Sequence, residues 1–294
     1  MIVTLKNHTM TARIDSIGAQ LISLKSKSGT EYIWQRDPAH WKSSSPLLFP
    51  TVGNCRDGKY TLNGQIYSIP KHGFCRNADF AVSVLSEQEA SFILTDSPET
   101  RAHYPFAFHL KLTYALTEDG IRIHYTVTNP GTGPMYYQLG AHPGLNCPLH
   151  SGERFEDYVL EFEQEGTAGY HSYDLNRMEF NMNSYTPILD HAAVIPLTHE
   201  LFANDAIFFT DLRSKKVALK NQATGYGVEV SYPDFATVAF WTAAATKAPF
   251  LCVEPWNGSA IRSDEDDNFL NRHFLQKVES GESKEYQIWI KKIS

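Results

Sequence analysis

From Ile121 to Thr128 the chain reads I-R-I-H-Y-T-V-T, and Asn129-Pro130-Gly131 breaks the pattern before Met135-Tyr136-Tyr137-Gln138-Leu139 begins another run. Alternation of apolar and polar residues puts every second side chain on one face of a half-buried strand. The same grammar recurs along the chain. Tyr60-Thr61-Leu62-Asn63-Gly64-Gln65-Ile66-Tyr67 places Asn-Gly, the residues suited to a type I′ turn, between β-favouring flanks, so it predicts a hairpin. Further strands are expected over Tyr158–Phe162, Ala206–Phe209, Val217–Leu219, Val228–Tyr232, Val238–Trp241 and Tyr286–Lys291. Helical pattern is sparse: a turn over His199–Ala203, and one after Ser263, where Asp264, Glu265 and Asp266 suit a helix N-terminus. This grammar requires an all-β chain with few short helices, built as large twisted antiparallel sheets stacked face to face.

The 294 residues would serve two ordinary domains or one large β domain. No linker composition and no fixed-period repeat divides them, so a single domain over 1–294 is expected. A formal net charge of −7, with no basic run longer than Lys215-Lys216 or Lys291-Lys292, excludes a nucleic-acid partner. No signal-like leader and no membrane-spanning apolar stretch is seen, so no membrane partner and a cytoplasmic location are expected. Cys55, Cys75, Cys147 and Cys252 are scattered without zinc-type pairing, which suits reduced thiols.

Several chemistries are missing their signatures. There is no G-x-S-x-G elbow, no G-x-x-x-x-G-K-[ST] loop, no H-E-x-x-H and no G-x-G-x-x-G. None of the 12 histidines falls in an H-x-H pair, the spacing a strand-borne metal site of the cupin kind would use. No metal ligand set is therefore visible, and no metal is expected.

Three stretches remain. Pro70-Lys71-His72-Gly73-Phe74-Cys75-Arg76-Asn77 sets a histidine before a glycine and offers the planar donor fork of Arg76; a loop histidine and a surface ion pair fit the same residues. In Leu139-Gly140-Ala141-His142-Pro143-Gly144, His142 leaves an apolar strand and Pro143 holds it extended, a placement that suits proton transfer or a half-buried structural histidine. In Phe250-Leu251-Cys252-Val253-Glu254-Pro255-Trp256, Glu254 ends an apolar central strand and the chain is expected to leave the sheet at Pro255. Partial burial would make Glu254 a general base, with Trp256 as an apolar wall for a sugar ring, although a loop-capping carboxylate is also compatible. Two histidines, an arginine, a carboxylate and aromatic walls on a β scaffold point to a neutral polar ligand handled by acid and base, best met by carbohydrate.

The blocks L-L-F-P-T-V-G-N, D-G-K-Y-T-L-N-G, K-H-G-F-C-R-N, G-A-H-P-G-L-N, L-F-A-N-D-A and A-P-F-L-C-V-E-P-W-N-G, taken in order, resemble the aldose 1-epimerase (galactose mutarotase-like) family, and within it the LacX-like branch. The likeness runs from about Ile17 to Ile290. It implies a galactose mutarotase-like β-supersandwich and interconversion of the α and β anomers of a sugar through the open-chain aldehyde, with no cofactor. It further implies that Glu254 is the base at the C1 hydroxyl, that His142 is the acid at the ring oxygen, and that His72 and Asp205 bind substrate. One position departs: Asn54 stands where mutarotases carry a substrate-binding arginine, so Arg56 or Arg76 would substitute, or the sugar differs. Arg56, Arg76 and Lys71 keep open a hexose-6-phosphate 1-epimerase, and the same pocket without turnover would make a carbohydrate-binding protein. A monomer and a homodimer both fit.

Overall fold

A computed structural model describes residues 1–294. Its largest element is an antiparallel sheet of nine strands, running from Thr186–Pro196 at one edge, through Tyr158–Tyr170, Lys216–Asn221, Gly227–Ser231, Ser283–Ile293, Gly120–Thr128 and His109–Leu116, to Glu89–Thr95 and Ala81–Val84. The alternation that marks Ile121–Thr128 is the burial alternation of the strand Gly120–Thr128, which pairs residue for residue with Ser283–Ile293. A second antiparallel sheet runs Ile207–Phe209, Thr237–Trp241, Phe250–Asn257, Leu139–Ala141, Leu47–Leu48, with Gly144–Asn146 also paired to Phe250–Asn257. Three N-terminal strands, Ile2–Lys6, Met10–Asp15 and Gln20–Ser26, form a further small sheet.

The Asn63-Gly64 turn joins Lys59–Leu62 to Gln65–Ser68, with φ of 50° and 78° at its two central residues, as a type I′ turn requires. Alternate side chains of the sheets meet in a cluster of 62 buried apolar residues that draws on the chain from Val3 to Ile290.

Two local expectations are corrected. The residues after Ser263 do not start a helix, because their carboxylates are taken by arginines: Asp264 pairs with Arg262 at 2.7 Å and the buried Glu265 with Arg272 at 3.3 Å. The one α-helix, Pro98–His103, lies instead behind a Ser97/Thr100 capping box with proline in its first turn. The chain also does not leave the sheet at Pro255. The strand Phe250–Asn257 runs on, buried throughout, with Pro255 opposite Val238 and Trp256 opposite Thr237.

Candidate active site

Pro255 is tolerated in a central strand because of what lies on its other side. Leu139 and Gly140 pair with Asn257 and Trp256, while Gly144, Leu145 and Asn146 pair with Cys252, Leu251 and Phe250. The register is the same on both sides of the gap, which puts His142 directly opposite Glu254. Val253 donates its N–H to the Pro143 carbonyl at 3.1 Å, so Pro255, two residues on, turns its missing donor toward the same interrupted neighbour. The His142/Glu254 rung thus falls between hydrogen-bonding positions, where facing side chains approach most closely. His142 Nε2 lies 3.0 Å from a Glu254 carboxylate oxygen, and both side chains are buried.

Burial pushes the Glu254 carboxyl well above its ordinary range, and the charge of Asp205 adds to this, while Lys71 and Arg76 oppose it. Burial holds His142 well below the usual imidazole range, and Arg76 lowers it further. Burial disfavours charge on both groups, so a proton shared by the pair is favoured on Glu254, and its transfer to His142 gives the carboxylate–imidazolium form. Cys252, two residues before Glu254, places its sulfur within 4.8 Å of the same donor atoms, the one grouping of metal-ligand type in the chain. Its thiol is raised by burial and does not line the cleft, so it is a poor ligand compared with the two groups beside it.

His72 is held differently. It and Gly73 both have left-handed backbone, with φ of 67° and 72°. A β-carbon at Gly73 would lie 2.1 Å from the Phe49 carbonyl oxygen, so only glycine allows this approach. His72 donates its N–H to the Gly53 carbonyl at 2.8 Å, and its Nδ1 accepts from the Gly53 N–H at 3.1 Å. That acceptor role puts the ring proton of neutral His72 on Nε2, as a donor. Burial, reinforced by His142, keeps His72 well below the usual imidazole range and therefore neutral.

These groups border a cleft of about 270 Å³, which is small for a ligand pocket and suited to a single sugar ring. Glu254, His142, His72, Arg76, Asp205 and Trp256 all line it. Asp205 sits at φ 75° with a carboxylate oxygen accepting from the Ala206 N–H at 2.8 Å. Arg76 donates to Ser43 Oγ at 3.0 Å and forms no ion pair. Trp256 is buried against Phe208, with ring centroids 5.5 Å apart.

The structure does not bring Asn54 or Arg56 to the cleft. Asn54 acts one shell out, donating through Nδ2 to the hydroxyl of Tyr173, a cleft residue, at 3.1 Å. Arg56 is committed elsewhere: it contacts Glu179 and Asp267, each at 3.1 Å, and the carbonyls of Glu265 and Arg262 at 2.8 and 2.9 Å. Of the two arginines weighed as substitutes, Arg76 is the one at the cleft. Trp41, Trp241, Tyr173 and Phe180 complete the walls and were not singled out in the sequence. Trp41 and Tyr173 come from distant segments with no local motif; Trp241 ends a strand that reads simply as core.

Residues 1–266 match the family described as Aldose 1-epimerase. The chain is 33% identical over 284 residues, 95% of each sequence, to the chromosomal protein LacX of Lactococcus lactis subsp. lactis. A galactose mutarotase related enzyme from Lactobacillus acidophilus superposes with a TM-score of 0.94 at 30% identity, covering 100% of this chain and 98% of that one. A galactose mutarotase-like protein from Lactobacillus casei gives 0.92 at 28% identity, covering 100% of both.

Proposed function

The chain belongs to the aldose 1-epimerase family, and on that premise we propose that it interconverts the α and β anomers of a hexose, with Glu254 as general base and His142 as general acid. The observation that carries this reading is the buried His142/Glu254 rung, 3.0 Å apart, at the wall of a cleft of sugar size. Glu254, as carboxylate, takes the proton of the C1 hydroxyl. His142, as imidazolium, gives its proton to the ring oxygen, and the C1–O5 bond breaks to leave the open-chain aldehyde. The pair has then gained one proton and lost one, so its total is unchanged. Rotation about C1–C2 followed by the reverse transfers closes the ring on the other face and restores both groups. Nothing outside the pair need supply or absorb a proton.

Neutral His72, with its Nε2–H, together with Arg76 and Asp205, supplies donors and acceptors for the remaining hydroxyls, while Trp256 and Tyr173 give the apolar walls against which C–H faces pack. Exchange NMR or polarimetry on freshly dissolved α-glucose and α-galactose tests the proposal. An anomerisation rate unchanged by the protein would exclude those sugars. Binding by calorimetry without exchange would make the protein a sugar binder.

One observation favours a second reading. Lys71 and Arg76 both line the cleft, and neither has a carboxylate partner, an arrangement that would accept the phosphate of a hexose 6-phosphate. Comparing turnover of glucose and glucose 6-phosphate separates the two substrates.

A further inference from the structure

His142 Nδ1 is buried and has no hydrogen-bond partner. The His72 ring is held at Nδ1 by the Gly53 N–H, whereas the one side-chain partner of the acid candidate is Glu254, at Nε2. Beyond that, the acid candidate's own backbone carbonyl favours the protonated ring, and packing supplies the rest of its orientation. Three rings surround it: Trp241 and His72 present edges, with centroids at 5.9 and 5.7 Å and planes at 78° and 84°, whereas Trp41 lies nearly parallel at 5.0 Å and 28°.

Trp41 is itself preset. Its N–H donates to the Asp37 carbonyl at 2.9 Å, its carbonyl accepts from Trp34 Nε1 at 2.9 Å, and its ring stacks on Phe250 at 5.5 Å. Gly144 leaves it room: a β-carbon there would come within 3.1 Å of the indole.

We infer that Trp41 is a positioning residue for the acid: its indole face holds the imidazole of His142 in the plane of transfer and favours the protonated ring. The inference rests on the proposed reading of the cleft. The charged and titratable groups around His142 leave a role for an uncharged stabiliser. Glu254 favours the imidazolium but is also its rival for the shared proton, and its companion Cys252 on the same strand is a neutral thiol. On the facing segment, Lys71, His72 and Arg76 contribute positive or neutral groups, and both cations disfavour a charged ring, while Asp205 acts chiefly on Glu254. An aromatic face attracts a cation without competing for its proton, and does so most strongly where water is excluded.

The test compares Trp41→Leu with Trp41→Phe. In the Leu variant kcat falls about five- to thirtyfold, the range of a desolvated cation–π contact, with KM little changed, and Phe recovers most of the loss. In ligand-free protein the pH at which the His142 ¹⁵N shifts report protonation of the ring is lower in the Leu variant than in wild type and stays near wild type in the Phe variant. Equal behaviour of Leu and Phe, an unchanged ¹⁵N titration of His142, or a rise in KM with kcat intact would overturn the inference; the last would make Trp41 a sugar wall only. If the Leu variant does not accumulate as folded protein, Trp41→Met takes its place with the same expectations. Lack of exchange by the unsubstituted chain would count against the function reading, whereas the ¹⁵N shifts decide the Trp41–His142 coupling without any sugar.

Discussion

Glu254→Gln keeps the shape of a fully buried side chain and removes its ability to carry the pair's proton, so it has one kinetic and one thermodynamic consequence. Loss of a general base lowers anomer exchange by about 100- to 10,000-fold. The thermodynamic effect follows from counting protons. In the unfolded chain Glu254 titrates near pH ~4.3 and His142 near ~6.5. In the folded protein burial raises the first and lowers the second, and the premise under test is a pair that shares one proton across and beyond that interval. Between the two unfolded values both states hold one proton, and the pair contributes no slope. Above about pH 6.5 the unfolded chain releases its proton while the folded pair retains it, so stability falls by roughly 1 kcal/mol per pH unit until the pair deprotonates. Below about pH 4.3 the unfolded chain takes a second proton first, and stability falls again. In the Gln variant only His142 remains, depressed by burial. Its contribution is flat above about pH 6.5 and falls as pH drops below it. Urea unfolding of both proteins from pH 5 to 9 gives the comparison, with all other titrations shared and cancelling. The variant gains on the wild type as pH rises past neutrality. Parallel curves above pH 6.5 would refute the one-proton pair, and exchange within tenfold of wild type would refute Glu254 as base.

Three further outcomes follow from the geometry. Arg76→Met weakens sugar binding at least about tenfold by calorimetry, because it removes a guanidinium at the cleft whose only protein partner is a serine hydroxyl. Arg56→Met leaves the buried Glu179 with only a distant Arg177 and lowers unfolding free energy by about 1–3 kcal/mol with sugar affinity unchanged; lost affinity at full stability would contradict its placement. Gly73→Ala must relieve a 2.1 Å clash with backbone at a left-handed φ, so it costs at least about 2 kcal/mol in urea unfolding and weakens sugar binding through the displaced His72; a cost under about 0.5 kcal/mol would show that this segment yields freely.

What the sequence could reveal was decided by the range of the interactions. The Asn63-Gly64 hairpin, the alternation of Ile121–Thr128 and the stiff His142-Pro143 step are local, and each is legible within a few residues, whereas the equally local Glu254-Pro255 step misled because the strand continues through it opposite an interrupted neighbour. The helix Pro98–His103 was equally local, since Ser97-Pro98-Glu99-Thr100 carries both a cap and a first-turn proline, but a six-residue helix has too little periodicity to stand out. Arg56 and Arg76 look alike in sequence and differ only through distant partners: Glu179 and Asp267 lie 123 and 211 positions from Arg56. The same applies to Trp41, whose neighbour His142 is supplied by strand pairing far along the chain. The acid stretch after Ser263 misled because its carboxylates answer arginines at Arg262 and Arg272 rather than a helix dipole.

The two prolines are where local and distant information meet. Each immediately follows a proton-transfer candidate, and in the observed register Pro143 faces Val253 while Pro255 faces the Ala141 side of the gap. Both therefore withhold a donor from the same interval of the ladder. Regular pairing on either side, Leu139 with Asn257 and Gly144 with Cys252, still fixes the register, so the interval cannot slip by a residue without turning Glu254 into the opposite layer. The result is a rung whose alignment is set by its neighbours while its own side chains are free to face each other and the cleft. A carboxylate followed by proline in a central strand would be a defect if the partner strand were continuous. Opposite a histidine also followed by proline, it becomes the one place in the sheet where a buried acid and base can be held 3.0 Å apart.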